Sequence, residues 1–102
     1  MIARIWHGRT RLEDYEAYTE FLKERAIPDY QGTPGFIRLV FLRNIRGNEG
    51  HFTLITFWES LDDVIKNFAG EDYEKAKYYP EDKGFLLEFE ENVTHHEVFA
   101  ET

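Results

Sequence analysis

The chain has no cysteine, which excludes disulfides, thiolate catalysis and thiolate metal sites. No apolar run approaches the roughly 20 residues that a membrane helix requires. There is no glycine-rich phosphate loop, no serine-nucleophile elbow and no dinucleotide fingerprint. Positive charge is scarce as well. The formal net charge of -8 disfavours nucleic acid or an anionic membrane surface as a partner. No repeat, linker or low-complexity segment interrupts the 102 residues, so residues 1–102 read as a single domain. No basic-plus-apolar leader opens the chain, and a cytoplasmic location is the default expectation.

Aromatic residues are abundant: nine Phe, six Tyr and two Trp. They call for a bulky core, an interface or an aromatic-lined cleft. The stretch 51–59, rich in β-branched and aromatic residues, reads as the strand that organises the rest. One face carries Phe52, Leu54, Thr56 and Trp58; the other carries His51, Thr53, Ile55 and Phe57. Both faces are largely apolar, unlike those of a half-solvated antiparallel strand. In so short a chain one layer of helices covers one face. A second copy of the chain is the simplest cover for the other.

The remaining pattern fills in around that strand. Ile2, Arg4 and Trp6 alternate against Ala3, Ile5 and His7, predicting a strand over 2–8. Thr10-Arg-Leu-Glu13 fits a capping box, opening a helix that runs to about residue 27, where Pro28 stops it. A turn over 31–35 leads to a strand over 36–43, and a hairpin loop over 46–50 leads back into the organising strand. Ser60 predicts an N-cap for a second helix with Leu61, Val64, Ile65 and Phe68 on its buried stripe, ended by Gly70. Helical spacing continues over 71–79 until Pro80, residues 81–91 fit either a short helix or an anchored loop, and 93–100 read as the last strand. This order is the α+β, ferredoxin-like βαββαβ fold. Right-handed crossovers imply an antiparallel sheet of order 4-1-3-2 with both helices on one face.

Several segments resemble the antibiotic biosynthesis monooxygenase superfamily: residues 2–8, Pro34-Gly-Phe36, Phe57-Trp-Glu-Ser60, Phe68-Ala-Gly-Glu-Asp-Tyr73 and His95-His-Glu-Val98. The resemblance spans essentially the whole chain. It implies a homodimer whose two sheets face each other in a dimeric α/β barrel, with ligands held between each sheet and its own helices. It also implies one of several activities, among them cofactor-independent oxygenation of aromatic polyketides and heme degradation. Heme-degrading members place an Asn late in the first strand, a Trp in the second helix and a His about three turns later. The corresponding positions here hold His7, Asn67 and Lys77, so standard heme degradation is not expected. That correspondence puts His7, with Ala3 and Ile5, toward the helices and leaves Arg4 and Trp6 facing the barrel interior.

Candidate site residues follow. His7 is the candidate base for a phenolic substrate, because a neutral imidazole titrates near working pH. Asn67 and Tyr73 are candidate orienting groups. Trp58, Phe68, Tyr78 and Tyr79 are candidate ligand contacts for a flat ring, although aromatics at these spacings are more often plain core and interface. His7 with His95 or His96, joined by Glu97, could hold zinc or iron. Ordinary hydrogen-bonded histidines are the expectation, with neither metal nor cofactor required. Arg4 or Arg38 is expected to pair with Glu97 inside the barrel. The sequence thus points to a homodimer that oxygenates a small phenol or quinol without a cofactor. The alternatives are a ligand-binding or structural dimer without turnover, and a heme-binding or heme-degrading protein that lacks the usual residues.

Overall fold

The computed structural model describes all residues, Met1–Thr102. Four strands form one antiparallel sheet: β1 (Ile2–Arg11), β2 (Phe36–Arg46), β3 (Glu49–Trp58) and β4 (Thr94–Glu97). Their order is β2-β3-β1-β4, the expected 4-1-3-2 arrangement. Between β1 and β2 run α1 (Tyr15–Phe21), a π-helical segment Leu22–Ala26 and α2 (Ile27–Gln31). After β3 come α3 (Leu61–Val64) and a second π-helical segment, Ile65–Ala69, then a 3-10 turn, Pro80–Gly84. The fold is α+β and ferredoxin-like, and within one chain the sheet stays open.

Alternation along β3, and along β1 from Arg4 onward, decides which face is covered. Arg4, Trp6 and Thr10 of β1, and Phe52, Leu54, Thr56 and Trp58 of β3, are buried. Trp6, Phe52 and Leu54 pack against Tyr18, Leu22 and Ala26 of the first helical arm. Trp58 is fully buried, stacked edgewise on Phe36 and tilted against Phe68. The opposite face carries Ile5, Val40, Ile55 and Phe57, half-buried with no helix over them, and the exposed Leu42.

Several local expectations give way to tertiary pairing. Strand β1 runs on to Arg11 because Arg11 pairs with Glu49. Thr10 is therefore a buried strand residue, not a cap, and Leu12–Asp14 start the arm as a 3-10 turn. Pro28 does not stop the helix. It lies in the first turn of α2, where a missing N–H costs nothing, and the helix continues to Gln31. A bulge between Phe36 and Arg38 moves Phe36 onto the covered face with Leu39 and Phe41, away from Arg38. The Ser60 cap forms as expected, with its Oγ accepting the Asp63 N–H at 3.1 Å. Gly70 ends the helix at φ +78. Residues 71–79 are not helical, because their backbone pairs elsewhere. Ala76 donates to the Glu91 carbonyl and Val93 to the Glu74 carbonyl.

Candidate functional site

A cleft of about 280 Å³ opens on the helical side of the sheet. Asp29, Tyr30 and Thr33 line it from α2 and the following turn, and Asn67 and Phe68 line it from the second helical segment. Lys77, Tyr78 and Tyr79 close it from the irregular stretch beyond. Tyr30 and Phe68 stack with ring centroids 5.1 Å apart, and both rest on Trp58. Asn67 donates to the Pro34 carbonyl at 3.0 Å, which fixes its amide at the rim. Burial pushes the Tyr30 and Tyr78 phenols up to about 12, and burial followed by a hydrogen bond to Asp29 pushes Tyr79 higher still. These phenols are neutral donors at physiological pH.

Two cations stand at this cleft without a carboxylate partner. Arg4 is buried behind it, 5.3 Å from the Phe68 ring, and donates to the carbonyls of Tyr73 and Lys75. Lys77 donates to the Phe68 carbonyl at 2.7 Å, with its ammonium 4.4 Å from the same ring. Desolvation and then the Arg4 charge lower the Lys77 pKa, so the neutral amine is more accessible than in an ordinary lysine. Further in, a hollow of about 30 Å³ is shared by Trp6, Tyr30, Lys77, Tyr79 and Asp82. The Trp6 indole N–H is buried beside it with no hydrogen-bond partner. An orphaned donor costs about 1–3 kcal/mol, so an acceptor entering here would be well received.

The geometry overturns the expected orientation of β1. Ala3, Ile5 and His7 lie on the face away from the helices, while Arg4 and Trp6 point to them. The cause is the covered face of β3. Trp6 pairs with Leu54, and both must reach the same helical core. His7 is therefore remote from the cleft, held by Glu90 at 2.5 Å and by His51 at 3.1 Å. The His7, His95 and Glu97 grouping does not form either. His95 pairs across from Arg4 on the covered face, and His96 turns the other way to meet Thr94. Neither Arg4 nor Arg38 reaches Glu97; Arg38 lies 3.7 Å from Glu101.

Of the candidates from sequence, Asn67, Phe68, Tyr78 and Tyr79 stand together in the cleft wall. Trp58 lies beneath as core, and Tyr73 lies behind, its ring edge-on to His95 at 5.4 Å. The sequence reading missed Asp29, Tyr30 and Thr33, because it ended the first helix at Pro28. It met Lys77 only as a misfit for histidine. The acids-then-lysines pattern over 71–79 had signalled a helix end there, not a cleft wall.

No protein-family model matches the chain, and no curated protein matches it in sequence. Among solved structures, the chain is similar to the heme-degrader MhuD of Mycobacterium tuberculosis, determined with two hemes bound in its active site. The TM-score is 0.63 at 18% identity, covering 100% of this chain and 99% of that one. The likeness shows a shared ferredoxin-like fold along the entire chain.

Proposed function

We propose that the cleft binds a flat, conjugated, anionic ligand of the heme class. The observation that carries this reading is the combination of stacked ring faces with cations in contact with no carboxylate: Tyr30 and Phe68 beside Lys77, and Arg4 behind. Rings recognise rings by offset stacking, and charge-assisted hydrogen bonds recognise carboxylates. The fold shared with a heme-degrader supports the same reading. For heme itself the residues fit in part. None of the four histidines opens into the cleft, and the donor that stands there is Lys77, with its lowered pKa. Lys77 would meet a carboxylate of the ligand, Asn67 and the phenols would orient the ring edge, and the Trp6 N–H would meet an acceptor. Bound heme would supply redox and dioxygen chemistry.

The cleft volume favours a second reading. At about 280 Å³ it sits at the lower end of ligand pockets, where a two- or three-ring phenol or quinol fits whole. Cofactor-independent oxygenation of such a molecule needs a base, and here that base would be Lys77, since His7 faces away. In both readings a second copy of the chain covers the open face of the sheet. Heme titration of the purified protein tests the first reading. A strong visible band should saturate at one heme per chain and shift in Lys77→Ala. No saturable change overturns it, and oxygen uptake with hydroquinones and anthrones then decides for or against the second.

A further inference from the structure

The open face of the sheet holds a second arrangement of chemistry-bearing side chains, separate from the cleft. His7 of β1 and His51 of β3 are diagonal neighbours, because Arg9 pairs with His51 and His7 with Thr53. His7 Nε2 faces His51 Nδ1 at 3.1 Å, with ring centroids 5.3 Å apart. The remaining ring nitrogens each face a carboxylate. His7 Nδ1 lies 2.5 Å from Glu90, and His51 Nε2 lies 3.5 Å from Glu49. Arg9 holds Glu49 from the far side at 2.7 Å, and Glu88 lies 3.7 Å from Arg9. Two carboxylates, Glu49 and Glu88, therefore share one guanidinium while Glu90 meets His7, a surplus of negative charge beside the two imidazoles. Arg46 lies at the mouth of the neighbouring hollow, while Arg43 is engaged by Glu16.

We propose that His7 and His51 bind a divalent transition metal of the zinc or copper class through His7 Nε2 and His51 Nδ1. Metal–nitrogen bonds run about 2.0–2.1 Å, and a ring nitrogen lies about 1.1 Å from its ring centre. A tetrahedral angle of roughly 110° then puts the two ring centres about 5.2 Å apart, against the 5.3 Å found. Small ring rotations aim both nitrogens at one point, and the single proton between them leaves to solvent. Glu90 stands where an outer partner of a metal-bound imidazole stands, accepting the His7 Nδ1–H and fixing its tautomer, and Glu49 lies 3.5 Å from the opposite nitrogen of His51. Two imidazoles without a thiolate select zinc, copper or nickel over magnesium or calcium. No group of three or more His, Cys, Asp or Glu is placed to hold a metal, and Glu90 and Glu49 face the opposite ring nitrogens, so the other coordination positions fall to water. The contrary reading is a plain imidazole–imidazole hydrogen bond.

The test uses the whole chain and the metals alone. Zn²⁺ is titrated in competition with a chromophoric chelator, and Cu²⁺ is examined by electron paramagnetic resonance. One equivalent per chain should bind saturably. His7→Ala and His51→Ala should each weaken it at least tenfold, and Glu90→Gln about tenfold. His96→Ala, whose imidazole is apart from the pair, should leave it unchanged. The copper spectrum of the unmodified protein should carry hyperfine splitting from two nitrogens, a readout that stands even if a variant fails to fold. No saturable equivalent, affinity untouched by both histidine substitutions, or a spectrum with fewer than two nitrogens overturns the proposal. Heme titration of the cleft is independent of every one of these outcomes.

Discussion

Arg4 Nη1 lies 3.0 Å from His95 Nε2, so a permanent cation donates to an imidazole that must keep that nitrogen unprotonated. Burial, followed by the Arg4 charge, holds the His95 pKa down to about 4, against 6.5 for a free histidine. Between those two values the unfolded chain binds a proton that the native chain refuses, so stability rises with pH across that window. Above pH 6.5 the contribution is flat; as pH falls toward 4 it becomes an increasing penalty. Urea midpoints at pH 7, 5.5 and 4.5 should fall more steeply for the natural chain than for His95→Gln. Equal slopes would refute the assignment.

Gly8 is a glycine for want of space. A Cβ there would lie 2.4 Å from the Trp6 ring and 3.2 Å from Leu86. Gly8→Ala must therefore displace the indole, at a cost of about 1–3 kcal/mol as for other overpacked cores. Gly84, with nothing within 4 Å of its own hypothetical Cβ, is the control, and Gly84→Ala should change stability by less than about 0.5 kcal/mol. Chemical denaturation measures both. A neutral Gly8→Ala would mean that the Trp6 ring is free to move, which its packing in the core denies.

These two cases also mark how far the sequence could be read. Apolar alternation in β1 and β3 specified two strands and their partners, because a one-residue slip would expose Trp58 and Leu54. The order of elements then gave the sheet topology. What alternation could not say is which of two apolar faces meets the helices, and that choice decided where His7 points. The face is set by Trp6, Phe52 and Leu54 meeting Tyr18 and Leu22, contacts between residues far apart in sequence. The cleft was half legible for the same reason. Phe68, Tyr78 and Tyr79 were visible as aromatics, whereas Tyr30 was hidden by a proline that tertiary packing accommodates inside the helical arm.

Asp82 ties the 3-10 turn to the core. Its Oδ1 accepts from the buried Tyr18 hydroxyl at 3.0 Å and its Oδ2 from the Tyr79 N–H at 2.7 Å. Asp82→Ala leaves both donors unpaired, and we expect a loss of about 3 kcal/mol. Tyr18→Phe removes one donor but leaves the Tyr79 bond, so about 1 kcal/mol is expected. The double variant should cost less than the sum of the two, since each single change already breaks the shared bond. Strict additivity would argue that the hydroxyl and carboxylate do not interact in solution.

Ile55 stands between Ile5 and Val40 in one row across the open face, paired with both. Covering this row with a second chain should make the protein dimeric, and light scattering should give about twice the 12.2 kDa chain mass. Ile55→Lys should unfold the protein rather than release a folded monomer, because small obligate dimers lack a stable monomer. A folded, soluble monomer of the natural chain would defeat the second-copy reading.

The last prediction concerns the charge of the ligand. Lys77 lines the cleft and Arg4 sits behind it, and neither meets a carboxylate; their donors are spent on the carbonyls of Phe68, Tyr73 and Lys75 and on His95. Desolvation, followed by repulsion from Arg4, acts on Lys77, which is why its pKa falls. A carboxylate entering the cleft would relieve this, gaining a charge-assisted hydrogen bond worth about 1.5–3 kcal/mol. A dicarboxylate porphyrin should therefore bind at least tenfold tighter than its dimethyl ester, since 1.4 kcal/mol is about tenfold. Lys77→Gln should bring the two affinities together by weakening the acid and leaving the ester unchanged. His7→Ala, on the far face, should alter neither. If acid and ester bind the natural chain equally, the cations do not recognise the ligand, and stacking on Tyr30 and Phe68 alone would have to account for binding.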